Sequence, residues 1–300
     1  MRKLVTQFLL LITLAAPAAY AENEILTGLQ GSFDVPIGDL LVKKHDSEFR
    51  NLFSGLSVGV VYNYPASLVE SDLGSGDDGS RQTSTPTLGL TWKYTLVGAW
   101  FVGGSFSYYK DLEKRQPWNP DFTYCFGYND WRPYTLSLTY CNYGGNRLEP
   151  EDGQRHTDFD GGGWTLGYKF PLAKRLQHLL LMDPNGSIGC NVGLSYVHKY
   201  TDAATNSELT GKKRASFGCK YTIWKNWYWN FAINYYPDKS QQQPWDPDYT
   251  YGFGYFDWRP GTISFQYNNY SGNRFNSADR ADGTGRFRNG TFSISYSRSF

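Results

Sequence analysis

The sequence predicts an all-β fold: an antiparallel, membrane-crossing β-barrel of about twelve strands, built from two six-strand repeats. Three observations predict it. Stretches of about ten residues alternate large apolar with small polar side chains, the period-two pattern of a strand whose two faces meet different surroundings. The connections between these stretches alternate long and short. A long block also recurs: residues 117–147, opening "PWNPDFTYCFGYNDWRP", align without a gap on residues 244–274, opening "PWDPDYTYGFGYFDWRP", with 21 identities in 31 positions.

Composition narrows the class. Aromatic residues make up 18 %, led by 24 Tyr, beside 32 Gly, a content suited to surfaces greasy in the middle and wet at the ends. A net charge of +1 predicts no nucleic-acid partner. After the first residues no apolar run is long enough to cross a bilayer as a helix.

In chain order, residues 1–21 read as a signal peptide: basic "MRK", an apolar stretch, and Ala19-Tyr20-Ala21 before Glu22. The chain is therefore expected outside the cytoplasm, where its four cysteines can oxidise. Residues 22–51 form an N-terminal periplasmic or plug segment, with the amphipathic "GDLLVKKHDSEFRNLF" at its end. The barrel is expected over 52–300, in halves of about 52–170 and 186–300.

Strands of the first half are expected near 54–64, 86–97, 99–109, 121–129, 134–143 and 162–171. In "FTYCFGY", Phe122, Tyr124, Phe126 and Tyr128 share a face opposite Thr123, Cys125 and Gly127. The second half is expected to place strands near 186–199, 213–224, 226–236, 248–256, 261–270 and 287–299. There "NWYWNFAINYY" sets Trp227, Trp229, Phe231, Ile233 and Tyr235 against Tyr228, Asn230, Ala232 and Asn234. "WTLGYKF" (164–170) aligns with "GTFSISY" (290–296), and "GLSVGVVY" (55–62) with "GCNVGLSY" (189–196). Each strand is of membrane-spanning length when tilted. A soluble sandwich would also alternate, with its greasy face buried instead.

The long loops belong on one rim and the tight turns on the other. "DWRP" (130–133 and 257–260) reads as a tight turn, because Pro cannot donate to a ladder. Trp131 and Trp258 are expected at the inner membrane interface, and Trp118 and Trp245 at the outer one. "PLAKRLQHLLLMDPNG" (171–186), between the halves, carries leucines at helical spacing and reads as a counterpart of the segment before the first half.

The chain ends in "SISYSRSF", alternating and closing on Phe300. With the signal peptide and loop asymmetry, this resembles the C-terminal strand of bacterial outer-membrane β-barrels of the porin-like class. The resemblance covers the whole mature chain as architecture. It implies the outer membrane of a Gram-negative cell, an even strand number, contact with membrane lipid and lipopolysaccharide, and long loops outside with short turns in the periplasm.

Candidate functional residues follow from the alternation. Lys93, Lys169 and Lys220 are expected to face the lumen, where charge sets selectivity. Arg147 and Arg274, in "NYGGNR" and "NYSGNR", are expected at the outer rim, as solvated rim residues or as ligands of a lipopolysaccharide phosphate. Cys125 and Cys141 lie on neighbouring strands and are jointly absent from the other half (Gly252, Asn268). Cys190 and Cys219 behave likewise, their counterparts being Leu56 and Trp92. Disulfides Cys125–Cys141 and Cys190–Cys219 are therefore candidates.

These features favour a channel for small hydrophilic solutes, with oligosaccharides as candidate cargo, or an outlet for a polysaccharide. A lipid-modifying barrel enzyme needs a His within a nucleophile-bearing constellation. None of His45, His156, His178 and His198 sits in such a motif, so no enzyme is expected, and no cofactor or metal site is read. A structural or receptor barrel with a periplasmic partner is the remaining alternative.

Overall fold

The computed structural model describes residues 55–66, 86–112, 119–130, 132–143, 145–149, 158–172, 176, 186–202, 205, 207–243, 246–257, 261–270, 273–275, 287 and 290–300. The segments 1–21 and 22–51, the four girdle tryptophans Trp118, Trp131, Trp245 and Trp258, and nearly all of 173–185 lie outside them.

Twelve strands follow one another: β1 Leu56–Pro65, β2 Thr87–Thr95, β3 Trp100–Tyr109, β4 Phe122–Asn129, β5 Leu136–Asn142, β6 Gly163–Pro171, β7 Ser187–Thr201, β8 Glu208–Trp224, β9 Trp227–Tyr235, β10 Tyr249–Tyr255, β11 Thr262–Asn269 and β12 Thr291–Ser299. Each pairs with its sequence neighbours, and β1 pairs with β12 to close the barrel. That closing seam is antiparallel from Ser57 opposite Ser299 to Pro65 opposite Thr291. Closure leaves no unpaired edge, which a sheet in lipid requires.

The greasy face points out. Trp229, Leu194 and Ile263 are 63 %, 61 % and 63 % exposed, and similar side chains project from the outer face around the barrel. Side chains this apolar need hydrocarbon around them, so the barrel is a membrane-spanning one of the outer-membrane type. The inner face carries Thr, Ser, Gly and Asn: Thr91, Ser105, Thr123, Thr165, Ser264 and Asn268 are all buried there.

Two strand limits differ from expectation. β8 starts at Glu208 rather than near 213, because the basic run "GKKR" reads as a loop yet continues the ladder to Thr201 opposite Glu208. Lys199 holds this extension through a 3.2 Å contact with Glu208. β12 starts at Thr291 rather than near 287, because Phe287 leaves the strand direction and packs on Tyr267.

Positions related by the repeat occupy equivalent stations. The inner turn after β2 places Gly98 at φ 59°, and the turn after β8 places Lys225 at φ 49°. The turn after β4 has Tyr134 at φ 62°, and the turn after β10 has Gly261 at φ 79°. Each inner turn thus needs a left-handed residue, and only one copy of each pair supplies the glycine that adopts it without strain. The register corrects two alignments. Trp164 opposes Tyr140 as Phe292 opposes Tyr267, so β6 matches β12 at 164 to 292, not 164 to 290. Val58 opposes Trp92 as Cys190 opposes Cys219, so the counterpart of Cys190 is Val58, not Leu56.

Candidate functional site: the lumen and its rims

The lumen wall is built from every second residue of twelve strands, and its charges are predominantly positive. Lys93 on β2, Lys169 on β6, and Lys212, Arg214 and Lys220 on β8 face inward. Among the described residues the one Asp or Glu within a strand is Glu208, the first residue of β8, on the same face as Lys212 and Arg214 and paired with Lys199.

Lys93 and Lys220 occupy matching positions. Lys93 pairs with Gly103, which opposes Cys125; Lys220 pairs with Asn230, which opposes Gly252. Because β2 and β8 lie six strands apart in either direction round the ring, the two lysines face each other across the lumen, toward its periplasmic end. Each ammonium sits over an aromatic ring: Lys93 is 4.8 Å from the Phe101 centroid, and Lys220 is 4.2 Å from Tyr228 and 4.8 Å from Phe256. A ring face steadies a cation without neutralising it. Lys169 reaches the neighbouring inner turn, donating to Asn129 Oδ1 at 2.9 Å and to the Asp130 carbonyl at 3.3 Å. In that turn Asp130 accepts from Arg132, whose guanidinium holds the carboxyl below its ordinary value.

Lys212 and Arg214 lie nearer the outer end of the same wall. Lys212 makes a buried ion pair of 2.6 Å with Asp246, on the outer segment between β9 and β10. A cavity beside this pair is lined by Tyr143, Thr165, Ser195, Lys212, Arg214 and Asp246. Sequence reading missed these two cations because the repeat does not mark them: the station matching Arg214 is Thr87, and that matching Asp246 is Asn119.

The structure places Arg147 and Arg274 inside the outer rim, at 5 % and 8 % exposure. Arg147 donates to the Asn119 carbonyl. Arg274 donates to the Asp246 carbonyl, and to the Gln243 carbonyl at 2.8 Å. Both guanidiniums, which follow β5 and β11, therefore fasten the segment that enters the adjacent preceding strand, β4 or β10. Asn146 and Asn273 join the clasp, donating to the Phe122 carbonyl at 3.1 Å and the Tyr249 carbonyl at 2.9 Å. Asp121 Oδ2 and Asp248 Oδ2 accept from the backbone N–H of Leu148 and Phe275.

A second rim device lies on the outer face. Tyr140 and Tyr267 point outward yet are 1 % and 0 % exposed, because Phe159 and Phe287 stack on them at 4.4 and 4.3 Å between centroids. Each tyrosine hydroxyl donates to the carbonyl of the phenylalanine covering it. Gly162 and Gly290 run directly over the hydroxyls, where a Cβ would collide. Alternation alone cannot foresee this, since it assigns Tyr140 to lipid without saying which loop covers it.

Both cysteine pairs are bonded, Cys125 to Cys141 and Cys190 to Cys219. The first staples β4 to β5 on the inner wall, beneath Tyr143, whose hydroxyl lies 3.3 Å from Cys125 Sγ. The second staples β7 to β8 on the outer face near the periplasmic end, packed with Ile188, Phe170, Leu172 and Tyr221. Of the histidines, only His198 is described; it projects outward beside Tyr196. Among the described residues no group of His, Cys, Asp and Glu has the arrangement of a metal site.

No family model and no curated protein matches the chain. Among solved structures it is similar to an outer membrane channel from Pseudomonas putida F1, at 11 % identity and a TM-score of 0.37, covering 86 % of this chain and all of that one. It is also similar to OmpF of Salmonella typhi in complex with daunomycin, at 8 % identity and a TM-score of 0.33, covering 82 % and 97 %. A third is OccAB2 of Acinetobacter baumannii, at 9 % identity and a TM-score of 0.28, with the same coverage.

Proposed function

We propose that the barrel is an outer-membrane channel for small hydrophilic solutes and that it favours anionic ones, with acidic oligosaccharides among its candidate cargo. The observation that carries this reading is the charge of the wall: six strand cations on the inward face against a single strand carboxylate, Glu208 at the outer end of β8, which Lys199 pairs. Between these cations the wall offers hydroxyls and amides, which can exchange hydrogen bonds with the hydration shell or hydroxyl groups of a passing solute. A polysaccharide outlet would use the same wall with a longer cargo.

Arg147 and Arg274 enter this reading as rim fasteners rather than lipopolysaccharide ligands, since their donors are directed at backbone carbonyls. Contact with membrane lipid is left to the outward aromatic and aliphatic belt. The reading is tested by inserting the purified exported chain into planar bilayers and recording single openings. Discrete openings that an acidic oligosaccharide blocks more strongly than a neutral one of equal length are expected. A folded barrel that never opens would point to a receptor or structural role instead.

A further inference from the structure

The cavity beside Lys212 and Asp246 has the parts of a binding site. Two rows of paired residues form its floor. Cys141, Gly163, Val197 and Lys212 run across β5 to β8, and Thr165, Ser195 and Arg214 run beside them across β6 to β8. Tyr143 and Asp246 complete the lining of this partly enclosed space. Its three charged residues are buried, with Lys212 at 5 %, Arg214 at 8 % and Asp246 at 1 % exposure. Two cations against one carboxylate leave the lining with an excess of positive charge. Asp246 Oδ2 accepts from Lys212 at 2.6 Å and from the Gln243 backbone N–H at 2.9 Å. Asp246 Oδ1 is buried and has no hydrogen-bond partner among the described residues, and a buried carboxylate oxygen calls for a donor. Thr165 and Ser195 share one hydroxyl hydrogen bond of 3.1 Å, so one proton of the pair remains for another acceptor.

The other half of the barrel fills the matching stations without charge. Ser293, Asn63 and Thr87 stand there in place of Thr165, Ser195 and Arg214. They satisfy one another: Ser293 Oγ donates to Asn63 Oδ1 at 2.6 Å, and Asn63 Nδ2 donates to Thr87 Oγ1 at 3.2 Å. Asn119 stands in place of Asp246. Closing the wall therefore needs neither the arginine nor the carboxylate, yet one copy carries both, around a cavity.

We propose that this cavity binds the acid end of a sugar acid, a hexuronate unit of the passing solute. Arg214 and Lys212 face its carboxylate, where charge-assisted hydrogen bonds are strongest. Asp246 Oδ1 accepts from a ring hydroxyl, and the Thr165–Ser195 pair hydrogen-bonds a second one. A simple anion meets the cations but brings Asp246 no donor; a neutral sugar brings the donor but no charge. The ligand class rests on the acidic-cargo reading above, whereas binding does not require the barrel to conduct.

The test is isothermal titration of the folded exported chain in detergent, with glucuronate, glucose and acetate as separate probes. Glucuronate is expected to bind about tenfold more tightly, or better, than either of the others. Acetate or glucose binding as tightly as glucuronate would overturn the proposal, as would no binding of glucuronate. One variant carries the residues of the other half, Thr165→Ser, Ser195→Asn and Arg214→Thr, a trio with which the barrel already closes. A second carries Arg214→Gln alone. Each is expected to keep the heat-modifiable folded band and to lose glucuronate affinity about tenfold or more. A folded variant with unchanged affinity would overturn the proposal. Glucuronate binding by a barrel that stays silent in bilayers would uphold the site and sink the channel. Openings without glucuronate binding would sink the site and leave the channel standing.

Discussion

Asp248 shows how much a single rim carboxylate organises. It accepts from Gln242 at 2.8 Å, from Lys239 at 3.0 Å and from the Phe275 backbone at 3.1 Å. Burial by itself would raise its pKa, but these donors outweigh it and hold the carboxyl below its ordinary value of 3.8. A carboxyl lowered on folding adds stability that is fully present above its unfolded value and is lost as pH falls through the folded one. The rim is therefore expected to keep constant strength from neutrality down to about pH 4 and to weaken only below that. Gel-shift melting between about pH 3 and 7 checks this, with Asp248→Asn expected to reduce the acid-side loss. Arg274, beside it, donates to two buried carbonyls, and charge-assisted bonds of this kind contribute about 1.5–3 kcal/mol each. Arg274→Ala should lower unfolding free energy by about 3 kcal/mol in urea titration. Lys225 is held at φ 49° where its counterpart is Gly98, so Lys225→Gly should raise stability by about 1 kcal/mol in the same titration.

At the scale of elements, the hairpin β4–β5 and its counterpart β10–β11 are the same device with different staples. Cys125 and Cys141 close a link between residues sixteen apart, and a loop of that size is worth about 3 kcal/mol in the chain-entropy account. Replacing the pair by the residues of the other half, Cys125→Gly with Cys141→Asn, should keep the barrel closed while lowering its melting point. Loss of the heat-modifiable folded band would contradict that. Strand existence was legible in the sequence because alternation with one greasy face leaves little freedom of register. The ends of β8 and β12 were not. "GKKR" has loop composition but remains paired with β7, and Phe287 is diverted by a tyrosine twenty residues earlier. Inward Lys93, Lys169 and Lys220 could be read from parity. Arg147 and Arg274 could be placed at the rim but not given partners, because those partners are backbone carbonyls 28 residues back along the chain.

At the scale of the molecule, a closed ring of twelve strands turns a local alternation into two surfaces of opposite character. The outer one belongs to lipid, and the inner one is small, polar and positive. Lys93 and Lys220 bring equal charges to opposite sides of the periplasmic end, while Lys212 and Arg214 add charge higher on one side only. The Asp246 carboxylate offsets part of that upper pair, which leaves the two lysine stations as the main determinants of ion preference. The most direct measurement is the reversal potential of the exported chain in a bilayer holding a salt gradient, beside that of the Lys93→Glu, Lys220→Glu double variant. The account predicts a reversal potential of the sign set by anion passage, moving toward cation passage in the variant. A cation-preferring wild-type barrel, or a reversal potential that the double variant leaves in place, would contradict it.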